Sequence, residues 1–258
     1  MNNPSENRPK RHLCIGLLAH VDAGKTTLSE AMLYTAGSIR KMGRVDNKDA
    51  FLDTFALERA RGITIFSKQA RLALDENTEV FLLDTPGHVD FSAEMERTLQ
   101  ILDYAILVVS GADGVQGHTE TLWKLLTRYE IPTFLFVNKM DQEGTDRQAL
   151  MEELKKRLDE KCVDFGRDQD RELFLENLAM CEEGLMEQYL ETGTLERPEI
   201  AYGIASRMIF PCFFGSALKL TGVEEFLQGF EEIPSVPNIR KRLEPGYLKL
   251  PETDREAD

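Results

Sequence analysis

Leu13-Cys14-Ile15-Gly16-Leu17-Leu18-Ala19-His20-Val21-Asp22-Ala23-Gly24-Lys25-Thr26 is the stretch that decides the architecture. Residues 13–19 form an apolar run with the length of a strand buried on both faces. The run ends in a short polar loop containing Gly24, and a helical pattern follows over residues 26–36. A strand, a tight loop and a helix in that order aim backbone N–H groups at one point, where concentrated negative charge is favoured. Residues 19–26 match the phosphate-loop spacing, with Ala19 in the place of its first glycine. In such a loop, which also takes in Asp22 and Ala23, Gly24 permits close approach of a phosphate. Lys25 reaches the β- and γ-phosphates, and Thr26 offers its hydroxyl to Mg²⁺. Thr27 follows, where its hydroxyl or amide meets an α-phosphate.

Beyond this stretch, strand and helix patterns alternate. Strands are predicted over residues 63–74, 80–83, 104–109, 133–137 and 208–214, and helices over residues 89–102, 119–129, 148–158 and 223–230. This rhythm predicts an α/β fold: a mostly parallel, six-stranded sheet with helices on both faces. Residues 37–62, rich in glycine and charge, read as a long functional loop. Residues 162–207 are largely helical and acidic, and are expected to form a small insertion packed beside the sheet. Residues 1–11 read as a loose tail and residues 234–258 as a linker toward a further domain, which leaves residues 12–233 as the folded unit.

Two further motifs sit at strand ends. Asp84-Thr85-Pro86-Gly87 places a carboxylate where it can hold a water bound to Mg²⁺, with the Gly87 amide near the γ-phosphate. Asn138-Lys139-Met140-Asp141 reads a base. Guanine presents N1–H and N2–H donors that the Asp141 carboxylate can accept together, whereas adenine would leave that carboxylate unpaired. Asn138 can bond N7 or O6, and the Lys139 stem can cover the ring. Gly215-Ser216-Ala217-Leu218 follows the last strand, where the backbone N–H groups of Ser216, Ala217 and Leu218 can face O6. The three motifs together make this a P-loop GTPase pattern; the alternatives for each alone are a surface turn, a plain turn and a helix cap.

Composition narrows the class. Over 258 residues, 42% are hydrophobic and 29% charged, and the formal net charge is −14. Such a chain has no general electrostatic grip on DNA or RNA, although docking at one defined spot stays open. No run reaches the length of a membrane span, and no signal peptide is visible. Cys14, Cys162, Cys181 and Cys212 are scattered, as expected for reduced thiols in the cytoplasm. His20 reads as structural, His12 and His118 as surface residues, and Trp123 as the anchor of a helix face.

These motifs resemble those of the translational GTPases, most of all the elongation factor G group. Arg61-Gly62-Ile63-Thr64-Ile65 is similar to that group's first switch and Asp84 through Phe91 to its second. The resemblance implies that Thr64 joins Thr26 and Asp84 around Mg²⁺, and that His88 positions the attacking water. It implies that Val21 and Ile63 flank His88 as an apolar gate, and that Asp22 supports a monovalent cation. It also implies a ribosomal partner, at the factor-binding centre of the large subunit, where a ribosomal RNA phosphate fixes His88. The short region between Asp141 and Gly215, and Gly184-Leu185-Met186-Glu187-Gln188-Tyr189-Leu190 within it, look like tetracycline-resistance ribosomal protection proteins. Translocases of the elongation factor G type and release factor three are the near alternatives. A nucleotide switch with negligible catalysis on its own is a further one. The expected chain is therefore a cytoplasmic, monomeric GTPase domain, with GTP as substrate and GDP as product.

Overall fold

Strand β1, Arg11–Ala19, lies inside a sheet whose order is β2-β3-β1-β4-β5-β7-β6. A computed structural model describes residues 11–43, 68–74, 78–84 and 98–231. Helix α1, Lys25–Thr35, leaves β1, and the chain returns through β2, Lys68–Ala73, and β3, Thr78–Asp84. Then come β4, Tyr104–Ser110; α2, Gly117–Arg128; β5, Thr133–Asn138; and α3, Arg147–Arg157. Strand β6, Cys162–Asp164, precedes three helices, α4 (Arg171–Ala179), α5 (Glu183–Thr192) and α6 (Arg197–Ala205). Strand β7, Phe210–Phe214, and α7, Val223–Glu231, complete the order. Every pairing in the sheet is parallel except β2 with β3.

Parallel strands with helices on both faces must be apolar on both sides, and side chains alternate between the faces. Tyr104, Ile106, Val108, Phe134 and Phe136 point to one core layer, which they share with α1 and α7. Ala105, Leu107, Val109, Leu135 and Val137 point to the other, under α2 and α3. Trp123 is buried in that second layer with its ring edge-on to Phe210, 4.7 Å between centroids, in keeping with an anchoring role. None of the described helices is long and apolar enough to cross a membrane.

The sheet has seven strands among the described residues, not six. The extra one is β6, which pairs Cys162 with Phe210 and Asp164 with Cys212. The region 162–207 therefore starts inside the sheet. Its helices also build the core: Leu178, Ala179, Leu185 and Ile204 belong to the same layer as Phe213 and Phe226. Side-chain oxygens cap two of the helix starts, with Asp170 accepting from Leu173 N–H at 3.0 Å and Glu182 from Leu185 N–H at 3.1 Å.

Two arginines fasten the region at its ends. Arg147 at the start of α3 grips Asp164 through two hydrogen bonds of 2.6 and 2.7 Å, and holds Asp168 as well. The hydrogen bond to Asp164 pushes the Arg147 guanidinium above its ordinary pKa. At the other end, Arg207 lies 5.3 Å from the Trp123 ring and 4.9 Å from that of Phe210. It also donates to the Thr127 hydroxyl at 2.8 Å. The stretch 44–62 of the expected long loop, and most of the helix expected over 89–102, lie outside the described residues.

Candidate functional site

From β1 the chain moves outward to β3 and then crosses to β4 on the other side of β1. Such a reversal opens a crevice at the carboxyl ends of the strands, where ligands of open α/β sheets bind. Residues 20–24 occupy that crevice. The backbone reverses tightly there, with φ of 61° at Asp22 and 89° at Gly24. Gly24 is the N-cap of α1 and supplies no side-chain cap. The first-turn N–H groups of a helix have no partner within it, so they face whatever lies ahead of the loop.

Gly24 is also fixed by packing. A Cβ there would stand 2.2 Å from the Asn138 amide nitrogen, which is itself 3% exposed at the end of β5. That amide group joins three separate segments. Its nitrogen donates to the Ala23 carbonyl at 2.9 Å, and its oxygen accepts from Ala217 N–H at 2.9 Å. Asn138 was expected to bond a base. Its side chain bridges the phosphate loop to the segment after β7, and the second hydrogen of its nitrogen is left to face a base. Three backbone bonds extend the bridge: Gly111 N–H to Asn138 C=O at 2.7 Å, Met140 N–H to Gly215 C=O at 3.0 Å, and Gly215 N–H to Val137 C=O at 2.9 Å.

Lys25 and Asp84 form a buried ion pair, with side chains 8% and 0% exposed. Two residues expected to serve a phosphate and a metal ion therefore meet at one point. Thr26 and Thr27 are half-buried on the first turn of α1, Val21 is half-buried, and Asp22 is exposed. Lys139 has φ 64° and is half-buried, and Asp141 is exposed. Ser216 and Ala217 are buried, while Leu218 is 45% exposed. The segment after β7 is closed by reciprocal backbone bonds of 3.0 Å between Ser216 and Thr221. Ile63, Thr64, Gly87 and His88 lie outside the described residues.

The donor set fits a nucleotide with Mg²⁺. That ion takes hard oxygen ligands and keeps several waters, so one hydroxyl, one carboxylate and phosphate oxygens suffice without a protein cage. Among the described residues no group of three His, Cys, Asp or Glu could hold a metal ion.

Sequence reasoning missed the Asn138 bridge, whose partners lie 115 and 79 positions away and leave no local signal. It also took His118 for a surface residue. His118 is half-buried, with its ring 5.8 Å from that of His20. His20 turns to this neighbour, and its Nδ1 is buried with no hydrogen-bond partner among the described residues. His12 is exposed beside Glu79 at 3.2 Å, as expected.

Comparison with known proteins bears on the same site. Tetracycline resistance protein TetP of Clostridium perfringens is 37% identical over 242 residues, which is 85% of this chain and 37% of that protein. The oxytetracycline resistance protein of Streptomyces rimosus is 39% identical over 249 residues, 87% of this chain and 37% of that protein. The chain thus spans little more than a third of the length of these relatives. A crystal structure from Thermus thermophilus superposes with a TM-score of 0.75 at 25% identity, covering 88% of this chain and 41% of that one. The family described as the elongation factor Tu GTP binding domain matches residues 10–235. With that match across the fold and all the described site residues, the chain belongs to the elongation factor Tu GTP-binding domain family.

Proposed function

We propose that this chain is the GTP-hydrolysing motor of a ribosome-acting factor of the tetracycline-protection type. The observation that carries the reading is the Asn138 bridge, which makes the phosphate loop, the Asn-Lys-Met-Asp motif and the Ser216–Leu218 segment one mechanical unit. In that unit guanine is read by Asp141 and by the backbone of Ser216, Ala217 and Leu218, and its phosphates lie over Ala23, Gly24, Lys25, Thr26 and Thr27.

Lys25 changes partner on binding. Its ammonium leaves Asp84 for the outer phosphates, and the Asp84 carboxylate becomes available on the metal side. Thr26, Thr64 and Asp84 would hold Mg²⁺, which when bound neutralises charge on the β- and γ-phosphates. His88 orients the attacking water rather than abstracting its proton, since the γ-phosphate can accept that proton itself. Val21 and Ile63 screen His88, and Asp22 supports a monovalent cation beside the phosphates.

Turnover is slow for the chain alone and rises when a ribosome fixes His88. The relatives' names support tetracycline resistance as the output of the whole protein, which on this reading acts in the cytoplasm by releasing the drug. His88→Ala tests the motor. GTP binding stays intact while multiple-turnover phosphate release no longer responds to ribosomes. Surviving stimulation would remove His88 from this role.

A further inference from the structure

A cavity of about 440 Å³ opens between α4, α6 and α7, over the face of β7 that carries Phe213, and no phosphate-loop residue lines it. Small-molecule pockets are mostly apolar, run from roughly 300 to 1,000 Å³, and carry a few polar groups that fix orientation. This one has that build. Phe165, Phe174, Leu175, Ile200 and Phe213 form its apolar walls. Arg167, Arg171 and Arg197 all line it and all are exposed.

Three guanidinium groups against one carboxylate, that of Glu225, which accepts from Arg167 N–H, are unexpected around an apolar cavity in a chain of net charge −14. Their disposition differs. Arg167 donates to the Gln228 side chain, and Arg197 has interactions of its own. Arg171, on the first turn of α4, makes no hydrogen bond or ion pair among the described residues. An exposed cation next to apolar walls matches a ligand with an anionic head and an apolar body.

The cavity is connected to the base-reading segment. Phe174 meets Phe165 at 5.1 Å between ring centroids, Phe165 meets Phe213 at 6.0 Å, Phe213 meets Phe226 at 5.2 Å, and Phe226 meets Phe136 at 5.0 Å. Phe136 lies against Gly215, where a Cβ would stand 3.1 Å from its ring. This row of rings runs from the cavity wall to the start of the segment that Asn138 anchors. Packed side chains of this kind can carry coupling between two sites.

We propose that the cavity is a regulatory site for a small amphipathic anion, an apolar body with one carboxylate or phosphate head held by Arg171, and that filling it slows release of guanine nucleotide. The coupling rests on the guanine-nucleotide reading above; the binding does not.

The test uses octanoate, octyl phosphate and neutral 1-octanol as probes of the 258-residue chain, by calorimetry and by the dissociation rate of fluorescent GDP. One octanoate or octyl phosphate binds saturably, the tighter of the two identifying the head group, and 1-octanol binds at least tenfold more weakly. Arg171→Glu weakens binding of the anion at least tenfold, and Leu175→Trp, which fills the cavity from its wall, abolishes it. Saturating anion slows GDP dissociation at least threefold in the wild-type chain and leaves it unchanged in Leu175→Trp. Equal affinity for 1-octanol, or no effect of Arg171→Glu, overturns the anionic-head assignment. Absence of saturable binding overturns the site, whether another part of the chain or a second copy covers it. Binding without a change in GDP dissociation overturns the coupling alone. Failure of GDP to bind at all strikes the guanine reading and leaves the calorimetric result standing.

Discussion

Replacing Gly24 and Asn138 by alanine, singly and together, probes whether the phosphate loop and the base-reading segment are locked by one side chain. Asn138→Ala strands the Ala23 carbonyl and the Ala217 amide, at residues 2% and 0% exposed. A buried polar group left without a partner costs about 1–3 kcal/mol, so the single substitution destabilises by about 2–6 kcal/mol. Gly24→Ala carries two separate costs. Holding alanine at φ 89° costs about 1–2 kcal/mol. The new Cβ, 2.2 Å from the Asn138 amide nitrogen, also forces that group off the Ala23 carbonyl, for about 1–3 kcal/mol more. In the double variant the second cost disappears, because the obstructing amide is gone. The two single losses should then exceed the double loss by about 1–3 kcal/mol, well above the roughly 0.5 kcal/mol within which independent sites add. Urea denaturation of the four nucleotide-free proteins measures the cycle. Strict additivity would refute the lock: it would mean that Asn138 swings aside freely and that its two bonds do not hold the loops together.

Three other outcomes follow from the same site and its surroundings. Lys25→Ala leaves the fully buried Asp84 without its ammonium partner, and should destabilise the nucleotide-free chain by about 3–5 kcal/mol as well as abolish GTP binding; unchanged denaturation midpoints would deny the pair a structural role. If Asp141 is the proposed acceptor for N1–H and N2–H of guanine, Asp141→Ala should weaken GDP binding at least tenfold while reducing the preference for GTP over ATP, read by competition with unlabelled nucleotide. Burial raises the Cys14 thiol to about 11 from 9.0, assisted by Asp103, and burial raises Cys181 to about 11. A raised thiol pKa favours the protonated folded form, so nothing changes below pH 9, where both states are protonated. Between pH 9 and 11 the unfolded chain ionises first and stability falls, and the Cys14→Ser, Cys181→Ser double variant should show a shallower decline of its urea midpoint over that range.

Legibility in the sequence followed the range of the interactions. The strand and helix rhythm was readable because β4 and β5 are apolar at nearly every position and their flanking helices keep a helical period. Strand β6 was not, since three residues cannot display a period of two and its pairing with β7 is made across the whole insertion. The motif residues were found by their spacing along the chain, which places Lys25 and Thr26 on α1 and Asp84 and Asn138 at strand ends. What those side chains do to one another was hidden. The Lys25–Asp84 pair and the Asn138 bridge join residues 59, 115 and 79 positions apart, and only the closed sheet brings them together. The His20–His118 contact has the same origin, linking the loop after β1 to the first turn of α2 across neighbouring layers.

The way the insertion is tied at both ends has a mechanical consequence. Its first residues, in β6, and its exit, in β7, run side by side in the sheet, with Arg147 fastening one margin and Arg207 the other. The helices between them also pack on the core layer that holds Phe213 and Phe226, so the region is held along its inner face as well as at its ends. A load on the outer face of these helices is therefore passed to β7, whose carboxyl end leads straight into the Gly215–Leu218 segment.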